Sequence, residues 1–186
     1  MRVIAGSAKG KKLKVPKSNI RPLSDQAKEG LFNILQPRIA DSYFLDLFSG
    51  TGSVAIEALS RGATLSILVE LDRKHVQVIR ENLAHCICED RAEIYALDVL
   101  AAIKILKRKE AKFDIIFLGA PYGNPSLEKA LEELADGVLL KENGLVIAEC
   151  RFKHDLAPDF GKLTVKRTVR YGDTVLTFYE SSNIPG

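Results

Sequence analysis

The sequence predicts an α/β protein built on a mostly parallel, doubly wound sheet, and three observations carry that expectation. Apolar runs of strand length alternate with amphipathic runs of helix length from Tyr43 to Glu149. A glycine-containing turn, Ser49 to Gly52, joins the first of these strands to the helix behind it. From Leu163 onward the alternation gives way to two β-rich runs, which read as a terminal antiparallel hairpin.

The elements follow in order. Ser24 and Asp25 offer N-caps to a helix with apolar residues at Ala27, Leu31, Ile34 and Leu35, which Pro37 is expected to end. Tyr43 to Phe48 is a strand, Ser53 to Arg61 a helix closed by Gly62, and Leu65 to Val69 a second strand. A helix over Arg73 to Ala84, a short strand over Ala92 to Leu97 and a helix over Val99 to Arg108 come next. Phe113 to Leu118 is a buried strand, Leu127 to Ala135 a helix and Leu145 to Glu149 the fifth strand. Leu163 to Val169 and Thr174 to Tyr179, joined across Tyr171-Gly172-Asp173, make the hairpin. Ahead of all of these, Arg2 to Ala5 and Lys11 to Val15 are separated by Gly6 and Gly10, which predicts strand, turn, strand. Residues 1–22 are thus expected to form a small basic β-hairpin extension, and residues 23–186 the main domain.

A chain of 186 residues and 20.5 kDa makes one ordinary domain with at most a small appendage, which excludes an enzyme with separate cofactor and substrate domains. With 46% hydrophobic and 27% charged residues it can bury a core, and no run approaches the roughly 20 apolar residues of a membrane span. No signal-like segment opens the chain, so a cytoplasmic protein is expected; a monomer is expected as well. Cys86, Cys88 and Cys150 stand in no zinc-like spacing with one another or with His75, His85 and His154, so reduced thiols and no structural metal are expected.

Charge is unevenly placed. The net +3 divides into an arm of seven bases and no acid before Asp25, and a remainder with 20 bases against 24 acids. Lys9, Lys11, Lys12, Lys14 and Arg21 belong to that arm. A solvated terminus is the plainer reading; a phosphate-tracking surface, favoured by the strand-like runs, is the other.

Chemistry concentrates in Leu45-Asp46-Leu47-Phe48-Ser49-Gly50-Thr51-Gly52-Ser53-Val54-Ala55. Glycines at a strand-to-helix junction let backbone approach a ligand, and the helix start presents unpaired N–H groups. Glu70 ends the second strand about twenty residues after Gly50, where an acid meets ribose hydroxyls. Asp98 follows the third strand at the same sheet edge. A nicotinamide cofactor could use this turn. Asp46 ahead of the glycines suits a cationic amino acid better than a pyrophosphate, and the terminal hairpin is unlike a second mononucleotide half, so S-adenosylmethionine is the better fit.

The chain resembles the bacterial 16S rRNA guanine-N2 methyltransferase family nearly end to end. The matching stretches are Arg2-Val3-Ile4-Ala5-Gly6 with Lys9-Gly10-Lys11-Lys12-Leu13, Arg21-Pro22-Leu23-Ser24-Asp25 with Lys28-Glu29, and Leu31-Phe32-Asn33-Ile34-Leu35. They continue with Asp46 to Gly52, Glu57 to Ala63, Glu70-Leu71-Asp72 and Arg170-Tyr171-Gly172-Asp173-Thr174. The resemblance implies a Rossmann-like class I methyltransferase fold, S-adenosylmethionine as methyl donor, and 16S rRNA or an assembling small ribosomal subunit as partner. It implies cofactor contacts at Asp46, Phe48, Gly50, Gly52, Glu70 and Asp98, the last near the adenine amino group, and a basic extension that helps hold RNA.

One departure stands in the catalytic loop. The family carries Asn or Asp, then Pro, Pro and an aromatic residue after the fourth strand; this chain has Gly119, Ala120, Pro121 and Tyr122. An exocyclic amine has its lone pair delocalised into the base, so acceptors on its hydrogens are needed to localise that pair. Gly119 removes the side-chain acceptor, Ala120 keeps a carbonyl on a looser backbone, and Tyr122 can stack on an extruded base. Gly119→Asp is accordingly expected to restore rate. Asp114 starts the same strand and lies too far away; Glu149 ends the fifth strand on the correct edge, where a solvated strand-end carboxylate is the plainer reading and a catalytic one the other. A non-catalytic RNA-binding module that retains the cofactor pocket is the competing reading. Cys86 and Cys88 are expected as buried fillers and His75 on a solvated helix face. Arg21, Ser24, Asp25 and Lys28 read as a helix-capping or substrate-side cluster. Lys162, Lys166, Arg167 and Arg170 read as an extension of the basic surface or a solvated strand.

Overall fold

In the computed structural model, which describes residues 1–16 and 22–181, the alternation of periods becomes five parallel strands separated by helices. The strands are β1 (Tyr43–Leu47), β2 (Leu65–Val69), β3 (Ala92–Tyr95), β4 (Phe113–Leu118) and β5 (Leu140–Arg151). The helices are α1 (Asp25–Ile39), α2 (Ser53–Ser60), α3 (Arg73–Cys86), α4 (Val99–Arg108) and α5 (Ser126–Leu134). β6 (Asp159–Phe160), β7 (Leu163–Tyr171) and β8 (Thr174–Ser181) complete a sheet of order β3-β2-β1-β4-β5-β8-β7-β6. β8 runs antiparallel to both β5 and β7, as the terminal hairpin predicts. Strand order reverses between β1 and β4, the switch point outside which open α/β sheets bind ligands.

The pleat sorts side chains onto two faces. Phe44, Leu68, Ile115, Phe117 and Ile147 join one core with α1, α2 and α3, while Leu45, Val69, Ile116 and Val146 join another with α4 and α5. Parallel strands covered on both faces are largely apolar, which is why most of the runs in the sequence are near-continuous instead of alternating.

Several boundaries differ from those expected, each for a local reason. Pro37 lies inside α1, because a proline in the last turn removes a single hydrogen bond while the following turn buries Ile39 and lets Ser42 Oγ donate to the Ile39 carbonyl at 2.7 Å. α3 runs two residues further, to Cys86, and ends on Ile87 in the left-handed region (φ 58°), a conformation that an isoleucine does not advertise. β5 starts earlier and pairs with β4 across a register shift between Phe113 and Ile115. β3 ends at Tyr95 instead of Leu97.

In the N-terminal segment, one antiparallel bridge, Arg2 to Lys12, closes a bent loop where two strands are expected. Val3, Ala8 and Leu13 are buried in the core shared with α1, α2 and α3. The Glu57 carboxylate accepts from Ile4 N at 2.8 Å and Ala5 N at 3.0 Å, and Ser60 Oγ accepts from Ala8 N at 2.9 Å. Contact is closest at Gly6: a Cβ there would lie 1.8 Å from the Ser60 carbonyl oxygen, and its φ of 82° disfavours any side chain. Glycine at position 6 is therefore set by docking against α2.

Candidate active site

Strands β1, β2, β4 and β5 end on one rim, and a cavity of about 860 Å³ opens there. The turn after β1 shapes its floor. Phe48 (φ 66°), Gly50 (φ 56°) and Gly52 (φ 75°) are left-handed, so the chain folds back beneath the start of α2. Ser49 N donates to the Val69 carbonyl at 2.9 Å and Ser49 Oγ to the Asp46 carbonyl at 2.7 Å, which fixes the turn to β2 and β1.

Glu70 lies at the tip of β2. Its carboxylate accepts from Gly50 N at 2.8 Å and from Asp72 N at 2.9 Å, and it faces His75 Nδ1 at 3.5 Å. It thereby ties the turn to the start of α3 while lining the cavity. Asp98 is the N-cap of α4, accepting from Leu100 N at 2.9 Å, and also lines the cavity. Val69, Leu71, Leu97 and Val99 supply apolar wall between these two acids. The opposite side is the loop Gly119, Ala120, Pro121 and Tyr122, together with Glu149.

Of the expected cofactor contacts, Phe48, Gly50, Glu70 and Asp98 meet on this cavity. Asp46 and Gly52 stand behind its wall. The Asp46 carboxylate is turned to α2, where it accepts from Ala55 N at 3.3 Å; burial pushes its pKa up to about 8, against that hydrogen bond and with the help of Glu70 and Glu149. Gly52 is the N-cap residue of α2, and a Cβ there would lie 3.2 Å from Leu68 Cδ2. Asp114 is spent at the far end of the sheet, accepting from Tyr43 N at 2.7 Å and Lys141 Nζ at 2.8 Å.

His75 corrects an expectation. It is 14% exposed in its side chain, between Glu70 and Asp72, and lines the cavity instead of a solvated face. Its position in the first turn of α3, directly after the acid that ends β2, is the signal that could have found it. Tyr122 is half-buried; its hydroxyl lies 3.0 Å from Thr174 Oγ1 and donates to Glu149 Oε1 at 3.4 Å. It also borders a second hollow of about 620 Å³, lined by Gly123, Arg151, Phe152, Lys153, His154 and Asp173. Beside that hollow the Arg170 guanidinium stacks 3.3 Å from the centre of the Phe152 ring.

The basic residues of the arm divide. Lys11 Nζ donates to the His85 carbonyl at 2.7 Å and Lys14 Nζ pairs with Glu81 at 2.8 Å, both on α3, whereas Lys9 and Lys12 are exposed. Arg21 lies outside the described residues. Lys28 is fully buried, donating to the Arg2 carbonyl at 2.7 Å and Ser53 Oγ at 3.0 Å, while Ser24 caps α1. Cys86, Cys88 and Cys150 are buried thiols, and burial raises the pKa of each. No described helix is long and apolar enough to cross a membrane.

The chain is 36% identical over 181 residues to the Bacillus subtilis protein YlbH, named as a candidate rRNA methyltransferase, covering 97% of this chain and 98% of that one. It is 34% identical over 157 residues to the ribosomal RNA small subunit methyltransferase D of Escherichia coli strain K12, with 84% and 77% covered. Its fold superposes on the structure of a candidate methyltransferase, yhhF, from Escherichia coli with a TM-score of 0.84 at 31% identity, covering 97% of each. The doubly wound sheet with its antiparallel C-terminal strands is that of a class I methyltransferase. With residues 1–180 matched, the chain belongs to the family described as conserved hypothetical protein 95.

Proposed function

We propose that this protein methylates small-subunit rRNA with S-adenosylmethionine as donor, at the exocyclic N2 amine of a guanine. The observation that carries the reading is a single cavity that joins a hydroxyl-accepting acid, Glu70, to the loop Gly119 to Tyr122 across the sheet switch point. The residues present fit the donor. Glu70 is held in place by two backbone N–H groups and keeps lone pairs for ribose hydroxyls, and the apolar wall from Val69 to Val99 suits a purine face. Asp46, expected to meet a cationic amino acid, is instead buried behind the turn with its pKa pushed up to about 8, so it presents a neutral carboxyl to α2 and no anion to the cavity. When bound, S-adenosylmethionine supplies an electrophilic methyl group.

The protein's own contribution is to orient the base and its amine. The Tyr122 ring, held at its hydroxyl by Thr174 and Glu149, offers a face on which an extruded base stacks. Arg151, Lys153 and Arg170 beside the second hollow, with Lys9 and Lys12 on the arm, give the phosphate backbone cationic partners. The absence of a side-chain acceptor at Gly119 favours the second reading, an RNA-binding module that keeps its cofactor pocket.

Labelled methyl transfer to small-subunit particles lacking guanine-N2 methylation tests the two. Label on a guanine N2 supports the enzyme, whereas saturable binding of cofactor and RNA without transfer supports the module. Glu70→Ala should weaken S-adenosylmethionine binding by roughly 1.5–3 kcal/mol, the scale of a hydrogen bond to a charged group. Unchanged affinity by calorimetry would remove Glu70 from the cofactor site.

A further inference from the structure

Gly119 has no side chain, yet the place a side chain would take is occupied. A Cβ built on Gly119 would lie 2.8 Å from Cε1 of Phe117 and 3.4 Å from Oε2 of Glu149. The register explains the approach. Phe117 on β4 stands opposite Ile147 on β5, and both belong to the core under α1, α2 and α3. Two residues further along each strand, with the pleat returned to the same face, come Gly119 and Glu149. Neighbouring strands lie about 4.8 Å apart, a gap that a glutamate side chain spans easily.

Glu149 is only 8% exposed, and that exposure is on the cavity that also holds Glu70 and Tyr122. Its Oε1 accepts from the Tyr122 hydroxyl, so the carboxylate is oriented by the residue on which the base would stack. We propose that Glu149 is the hydrogen-bond acceptor for the target amine, supplied by β5 beside the position of Gly119, which has no side-chain acceptor of its own. The inference rests on the methyltransferase reading and reassigns the group at its reacting centre.

The chemistry balances without a further reactant. Glu149 and a backbone carbonyl of the loop accept from the two hydrogens of the amine and draw its lone pair out of conjugation. The amine nitrogen then bonds to the methyl carbon as that carbon's bond to the sulfonium breaks, its electron pair returning to sulfur. The surplus proton on nitrogen passes to Glu149 and from there to solvent. This arrangement reverses the expectation for Gly119→Asp. A carboxylate at 119 would crowd Phe117 and stand against the Glu149 carboxylate, where two negative charges so close resist joint ionisation.

The test uses the full chain, small-subunit particles lacking guanine-N2 methylation, and S-adenosylmethionine. Glu149→Ala should lower kcat on the order of 100- to 1000-fold, the cost of losing one positioned electrostatic partner, while the Kd for S-adenosylmethionine and the Tm move little. Glu149→Gln, which keeps an acceptor oxygen, should retain more activity than Glu149→Ala, and Gly119→Asp should slow the enzyme. In the Glu149→Ala background, Gly119→Asn should recover part of the rate by returning an acceptor to its other position. The proposal is overturned if Glu149→Ala turns over like wild type, or if Gly119→Asp alone accelerates transfer. It is overturned equally if the wild-type protein binds cofactor and RNA but transfers nothing. Failure to bind S-adenosylmethionine at all would instead strike the methyltransferase reading, which separates the two outcomes.

Discussion

Removing Glu57 should loosen the basic arm and destabilise the whole domain, because one buried carboxylate serves both. Glu57 is fully buried on α2, and its oxygens accept from Ile4 N, Ala5 N and Arg61 Nε at 2.8, 3.0 and 2.8 Å, with Lys28 Nζ at 3.7 Å. Lys28 is buried as well, and that burial lowers its pKa while Glu57 and Asp25 oppose the shift. Glu57→Ala leaves two partly buried N–H groups of the arm and a buried Lys28 side chain without their anion. Breaking a buried pair by deleting one partner costs about 3–5 kcal/mol, a large share of the roughly 5–15 kcal/mol that holds a domain folded. Urea denaturation should show that loss, and amide exchange should speed up first at Ile4 and Ala5. A joint Glu57→Leu, Lys28→Met variant should lose less than the sum of the single changes, because the charge left behind is removed too. A loss below about 1 kcal/mol for Glu57→Ala, with protection of Ile4 and Ala5 intact, would falsify the view that this carboxylate clamps the arm.

Two further outcomes follow from the charges. Lys9→Ala with Lys12→Ala should reduce the salt dependence of RNA binding by roughly 0.7–0.9 per lost phosphate contact, whereas Lys14→Ala, whose ammonium is paired with Glu81, should change it less; equal slopes for all three proteins would count against a phosphate-tracking arm. Asp46 has a folded pKa raised to about 8 from an ordinary value near 3.8, so the folded state holds a proton that the unfolded chain releases. That stability is fully present below about pH 4 and is lost as pH rises through about 8. Asp46→Asn, which cannot ionise, should therefore gain on wild type between pH 5 and pH 8.5 by a few kcal/mol at about 1.36 kcal/mol per pKa unit, as read from urea midpoints; a constant difference across that range would contradict the shift.

The parallel part of the fold was legible because burial on both faces leaves no ambiguity in an apolar run. Leu65–Val69 and Phe113–Leu118 form with the expected ends, and so does α4, whose Asp98 cap and basic last turn are both visible in the sequence. The end of α3 slipped because a residue there adopts a conformation its type disfavours. Ile87 ends α3 in the left-handed region at 77% exposure, so neither glycine chemistry nor burial marks the stop. The arm was legible in charge and not in structure, since its fixing groups, Glu57, Ser60 and Asn82, lie far along the chain on α2 and α3.

The site divides along the same line. Glu70, Gly50 and Asp98 follow their strands within three residues, so position along the chain places them at the sheet edge. What position cannot give is direction. Asp46 and Gly119 lie on equivalent rims, but the pleat turns Asp46 into the wall under α2, and it brings Gly119 beside Glu149 only through the β4 to β5 register. That register is fixed by Ile115, Ile116, Phe117 and Leu118 lying opposite Leu145, Val146, Ile147 and Ala148, eight apolar residues whose sequence allows more than one alignment. A one-residue slip would send Glu149 to the face of α4 and α5 and leave Gly119 with no carboxylate beside it. The place of the carboxylate that we propose for the amine is thus decided by hydrophobic packing two residues below it, which is why Gly119, read as a loss from the sequence, has a glutamate from the next strand beside it in the structure.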